Sequence, residues 1–193
     1  VSLSEGNFTL TAALRIRVGA PLHLFGQGAE LTILKLADAA NSSGIQADGT
    51  VDGVVLSHFG LDGNKANQTV AGLGVLHSSM DRILCIGLDV FDWRSSGFGG
   101  SLFTDGVFIA CTSRNNDLHG FIINSSGNRS RYVACEADNN LFQGFACDFS
   151  TDVAYIGCLS QNNGGNGFDV FTMGRAIVQG CTSLSNTGWG IEE

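Results

Sequence analysis

The sequence predicts an all-β chain wound as a right-handed, single-stranded parallel β-helix of about seven coils, and three columns of residues predict it. Gly97, Gly120, Gly144, Gly167 and Gly190 recur every 23 or 24 residues, each followed by a large apolar residue: Phe98, Phe121, Phe145, Phe168 and Ile191. Cys111, Cys135, Cys158 and Cys181 keep the same step, and so do Asn116, Asn140, Asn163 and Asn186. Columns that stay in register at a fixed period of this size describe a solenoid, in which each coil buries its apolar face only by stacking on its neighbours. Gly74-Val75 and Gly44-Ile45 are earlier, looser members.

The elements follow from local composition. Runs such as FIIN, RYVAC, VAYIGC and AIVQGC are rich in Val, Ile, Phe and Tyr and are broken by Gly, Asn, Ser and Asp. That is strand and turn chemistry, and no stretch carries sustained helical periodicity. A coil of 23–24 residues holds three short strands and three turns, so the rod is about 30–35 Å long. The four related stretches RNNDLHGF, DNNLFQGF, QNNGGNGF and SNTGWGI each mark one corner of a coil. Stacked Asn amides can hydrogen-bond up and down a column. The Gly permits tight backbone geometry where the next strand begins, and the aromatic after it is the expected inward knob. The most repeated feature is therefore architectural.

Composition bounds the function. The chain of 193 residues has 44% apolar residues, 27 Gly, one Pro and a formal charge of −8, which fits a single domain (1–193) with many turns. No basic stripe exists to neutralise phosphates, which argues against a nucleic-acid partner. No apolar run is long enough for a membrane-spanning helix. Four of the six Cys share one repeat position and read as a buried stack of small apolar side chains, with no CxxC and no metal site expected. The chain begins VSLSEGNFTL and stops at WGIEE, just after a coil has started. That predicts a piece of a longer chain, or a homo-oligomer formed through an uncapped coil end.

PLHLFGQGAELTILKL, then LSHFGLDGNKANQT, then the Asn-Gly-Phe coils resemble the pectate-lyase-like β-helix superfamily, and most of all the catalytic module of mannuronan C-5 epimerases. Those modules share a G-x-G-x-x-x-T-x-x-x-L coil, an L-D-G-N turn and repeated N-x-x-x-x-G-F corners. The resemblance covers nearly the whole chain. It implies an extracellular or cell-surface protein acting on a polysaccharide, a uronan, by lyase or epimerase chemistry. That chemistry neutralises a uronate carboxylate, abstracts the C5 proton, then reprotonates C5 or expels the glycosidic oxygen. The family's Tyr-Gly-Phe-Asp-Pro-His-Glu stretch matches SGFGGSL here, so Ser96, Gly99 and Ser101 replace its Tyr, Asp and His. Asn124 and Phe142 stand where the family has a further Asp and an Arg.

Candidate site residues come from the outward row. If the residue after each Gly points inward, the first and third beyond it point outward. That row collects Asn124, Asp148, Asp169 and Phe171, with His119 at the neighbouring turn. His119, Asp148 and Asp169 are the expected catalytic set, since two carboxylates and a His serve hydrolysis, or hold a Ca²⁺ that binds a uronate. Asn124, Trp93, Arg94 and Lys65 are the expected substrate-binding residues, with Trp93 stacking on a sugar face. His58 and His77 read as hydrogen-bonded packing residues, and Asp62 as an Asx-turn residue. A non-catalytic glycan-binding module and a structural module of tail-spike or adhesin type are the alternatives.

Overall fold

The computed structural model describes residues 1–17, 22–124, 128–148, 150–170 and 174–192. Three parallel sheets of eight, eight and seven strands run the length of the rod, and each coil contributes one strand to each. In a regular coil Thr112–Arg114 enters sheet I, Phe121–Asn124 sheet II and Arg131–Val133 sheet III, before Glu136–Asp138 returns to sheet I. The register never slips: Phe98, Phe121, Phe145, Phe168 and Ile191 are successive partners in sheet II. Among the described residues the only helical element is a 3-10 turn at Lys65–Asn67.

The aromatic after each glycine is the inward knob. Phe98, Phe121, Phe145 and Phe168 stack nearly parallel, with centroids 4.7, 4.8 and 4.9 Å apart. Phe108, Tyr132 and Tyr155 form a second stack from sheet III, at 4.7 and 5.2 Å. Identical rings one coil apart meet face to face because the strand spacing is itself about 4.8 Å.

The Asn column is a hydrogen-bond ladder. Asn116 Nδ2 donates to Asn140 Oδ1 at 2.8 Å, Asn140 to Asn163 at 3.0 Å and Asn163 to Asn186 at 2.9 Å. Each Oδ1 also accepts the backbone N–H of the Asn one coil earlier. The glycines are required by close approach: a Cβ at Gly97 or Gly144 would lie 2.0 Å from Ser113 Oγ or Ser160 Oγ.

The turn from sheet III to sheet I needs one left-handed residue, and His58, Ala110 and Ala134 occupy it with φ of 58°, 49° and 50°. His58 is thus an exposed turn residue, a correction to its expected packing role. The next residue turns inward, which builds the Cys column. None of the six Cys is in a disulfide, and Cys135, Cys158 and Cys181 donate to the carbonyls of Phe108, Tyr132 and Tyr155 at 3.3–3.4 Å.

Candidate functional site

The outer face of sheet II changes character along the rod. One row of register partners reads Arg15, Gln46, Leu76, Gly99, Ile122, Ala146, Asp169 and Glu192. Arg15 pairs with Asp48 at the first end. The middle is a smooth floor of small or apolar residues, and the last coils are acidic. Asn124 and Asp148 are register partners in the second outward row. Phe171, expected beside them, lies outside the described residues.

The corner leading into this sheet carries His119, Gln143 and Asn166, one per coil, each just before a column glycine. Their side chains lean over the next coil. Gln143 Nε2 donates to Asp169 Oδ2 at 3.3 Å, and Asn166 Nδ2 donates to the Glu192 carboxylate. His119 occupies the same position one coil earlier. Its ring lies 5.7 Å from Phe142, and its backbone N–H donates to Ser96 Oγ at 3.2 Å. His119 Nδ1 and Gln143 Oε1 are buried without a hydrogen bond to any described residue.

The electrostatics separate the two candidate acid–base groups. Burial lowers the His119 pKa below the usual imidazole value, while the Asp169 carboxylate and the Gln143 side chain pull the other way. Burial, and next the charge of Asp169, raise Asp148 above the usual carboxylate value. A neutral imidazole and a carboxyl that holds its proton longer therefore share one strip, with Asp169 influencing both. Among the described residues no three His, Cys, Asp or Glu side chains form a group that could hold a metal ion.

The structure thus gathers His119, Asp148, Asp169 and Asn124 on one outer face. Trp93 is corrected: it is 1% exposed, and its indole N–H donates to Leu61 O at 3.2 Å. It cannot stack on a sugar because it stands in the Asn column, where its backbone N–H meets Asn116 Oδ1. Its distance of 23 residues from Asn116 was the signal in the sequence. Lys65 and Arg94 lie on the corner between sheets I and II and already have partners. Lys65 meets Asp117 at 3.1 Å, beside a shallow cleft of about 270 Å³ lined by Asn116, Asn139 and Asn140. Arg94 donates to Gln68 O at 2.6 Å. Asp62 forms the expected Asx turn, accepting the Asn64 N–H at 2.7 Å.

His77 is a third correction. Its ring is fully buried against Phe103 and Phe108, and neither nitrogen has a partner among the described residues. Burial pushes its pKa down to about 3, so it is a neutral core residue held by packing alone. Gly100 makes room for it, since a Cβ there would lie 2.2 Å from His77 Nδ1, and Gly99 makes room for Leu73 in the same way. SGFGGSL is therefore a packing solution. Gln143 is the residue the sequence reading missed, though it follows His119 by 24 residues in the same column.

No protein-family model matches the chain, and no curated protein matches it by sequence. By structure it is a parallel β-solenoid with close likenesses among solved proteins. It is similar to the A-module of mannuronan C-5 epimerase AlgE6 from Azotobacter vinelandii, with a TM-score of 0.78 and 17% identity over 97% of this chain and 58% of that one. The Dettilon tailspike protein gives a TM-score of 0.74 and 13% identity over 100% of this chain and 40% of that one. The catalytic domain of a GH87 alpha-1,3-glucanase in complex with nigerose gives 0.65 and 16%, over 97% and 35%. The chain spans just over half the length of the epimerase module. At these identities the likeness is one of fold.

Proposed function

We propose that the outer face of sheet II binds an extracellular or cell-surface polysaccharide, and that the acidic end acts on a uronan by lyase- or epimerase-type chemistry. The observation that carries this is His119, an imidazole whose pKa burial lowers and whose buried Nδ1 has no hydrogen bond of good geometry among the described residues, on the strip that holds Asp148 and Asp169. In this reading neutral His119 takes the C5 proton. Protonated Asp148 faces the uronate carboxylate as its charge builds up, and the electron pair is held as the enolate. Return of a proton from solvent water to the opposite face, with the proton on His119 released to solvent, gives the C5 epimer. Expulsion of the O4 glycosidic oxygen, with a proton from Asp148, gives the unsaturated uronate. Asn124 hydrogen-bonds the sugar. Support comes from the fold shared with an epimerase module and with a glucanase seen in complex with nigerose.

A second reading, glycan binding without turnover, is favoured by the Leu73 side chain over Gly99, where the epimerase motif would place an Asp. A screen on alginate, polymannuronate, pectate, hyaluronan and neutral glucans separates the two. It follows unsaturated-uronate absorbance, reducing ends and proton NMR of epimerised residues. Turnover of a uronan supports the catalytic reading. Binding with no product from folded protein supports the second.

A further inference from the structure

We propose that the outer face of sheet III is the contact surface for a second copy of this chain, packed side to side and antiparallel about a two-fold axis. Two independent features define it. The first is apolar: Leu84, Ile86, Val107, Ile109, Val133 and Ile156 point outward from adjacent strands in unbroken register. Ile156 is 37% exposed, and Ile177, at the end of the face, is 57% exposed. Arg131 is the one charge set among them. The matching positions on sheet I carry Lys35, Asp62, Arg114 and Asp138, so an apolar outer face is not a general property of these coils.

The second feature is a charge pattern along one edge of that face. Asp52, Arg82, Asp105, Arg129, Asp152 and Arg175 follow one another, one per coil, with strictly alternating sign. Arg82, Asp105, Arg129 and Asp152 all have left-handed φ, between 50° and 59°, at the turn before the sheet III strand. Within the chain they pair as Arg82–Asp52, Arg129–Asp105 and Arg175–Asp152. In a chain of net charge −8, this edge is locally neutral.

Symmetry connects the two features. When two such faces pack together, a two-fold axis parallel to the rod brings this edge against the opposite edge of the other copy. A two-fold axis across the rod brings the edge against itself, reversed. The alternating column is complementary to its own reverse. With the axis between Asp105 and Arg129, Arg82 faces the partner's Asp152, Asp105 the partner's Arg129, and Asp52 the partner's Arg175. Edge charges of this kind set register and orientation, while the apolar face supplies the contact.

The test is sedimentation velocity over about 1–100 µM, with circular dichroism to confirm folding. The expected result is a reversible monomer–dimer equilibrium. Ile109→Asp should abolish it, and Arg82→Asp and Asp152→Arg should each weaken self-association at least ten-fold. An equimolar mixture of those two variants should dimerise again, because each reversed charge then faces an opposite one. Restoration of folding cannot explain that recovery, since each chain still carries its own like-charged neighbour. Wild-type protein that stays monomeric across the range overturns the proposal. So does a dimer insensitive to these substitutions, or a mixture that fails to recover.

Discussion

Gln143 reaches from one coil to the next and donates to the Asp169 carboxylate at 3.3 Å, while its Oε1 and the His119 Nδ1 are both buried without a hydrogen bond of good geometry among the described residues. A single amide thus fixes Asp169 and flanks His119. These two catalytic candidates are 50 residues apart in the chain and two coils apart in space.

If the strip catalyses proton transfer, its pH profile should be bell-shaped. His119 must be neutral, so the acid limb falls below the ordinary imidazole value of 6.5. Asp148 must be protonated, so the alkaline limb lies above the ordinary carboxylate value of 3.8. His119→Ala should lower kcat by about 10²–10⁴-fold. Asp148→Asn, which can still hydrogen-bond the uronate but has no proton to give O4, should remove the alkaline limb of epimerisation and abolish elimination. A profile flat from pH 4 to 7 would contradict both assignments.

Thermal stability should fall with acidity through the titration of His77. Its pKa is about 3 in the folded protein against 6.5 when exposed, so between these values the unfolded chain binds a proton that the folded chain excludes. Stability is therefore fully present above pH 6.5 and declines by about 1.4 kcal/mol per pH unit towards pH 3. His77→Phe should flatten that slope in urea titrations at several pH values.

Gly100→Ala forces a methyl group to within 2.2 Å of His77 Nδ1. A cost of about 1–3 kcal/mol is expected from overpacking. Combining it with His77→Ala should cost less than the sum of the two, because the clash is then gone. Denaturant midpoints of the four proteins measure this coupling.

Asn140→Ala removes a side chain that donates to Ser113 O and Asn163 Oδ1 and accepts from the Asn116 backbone and side chain. Those partners are left buried, at about 1–3 kcal/mol each. A loss of at least about 3 kcal/mol is expected, against about 1 kcal/mol for Asn139→Ala, which is exposed and gives up only a surface hydrogen bond and a residue type that tolerates left-handed φ.

The thiols should resist alkylation until the chain unfolds. Burial raises the pKa of Cys85, Cys135 and Cys147, the last to about 11, which leaves little thiolate at neutral pH. Cys181, half-buried in the final coil, should react first. Mass mapping after a timed maleimide pulse identifies the order.

The sequence by itself determined the coil. A 23- or 24-residue period in Gly, Asn, Cys and Phe leaves no other way to bury the aromatics, and stacking makes every column position equivalent. It also determined that Asn124, Asp148 and Asp169 point outward, because strand alternation is a local property, with His119 at the corner beside them. The tertiary structure decided what depends on the distance between coils. Trp93 turned inward because it occupies an Asn-column position, and His77 lost its expected hydrogen bonds because only packing surrounds it. Gln143 was placed against Asp169 because a corner side chain reaches the neighbouring coil. The alternation of Asp and Arg from position 52 to 175 was present in the chain throughout. Only the register of the coils made it one edge of one face.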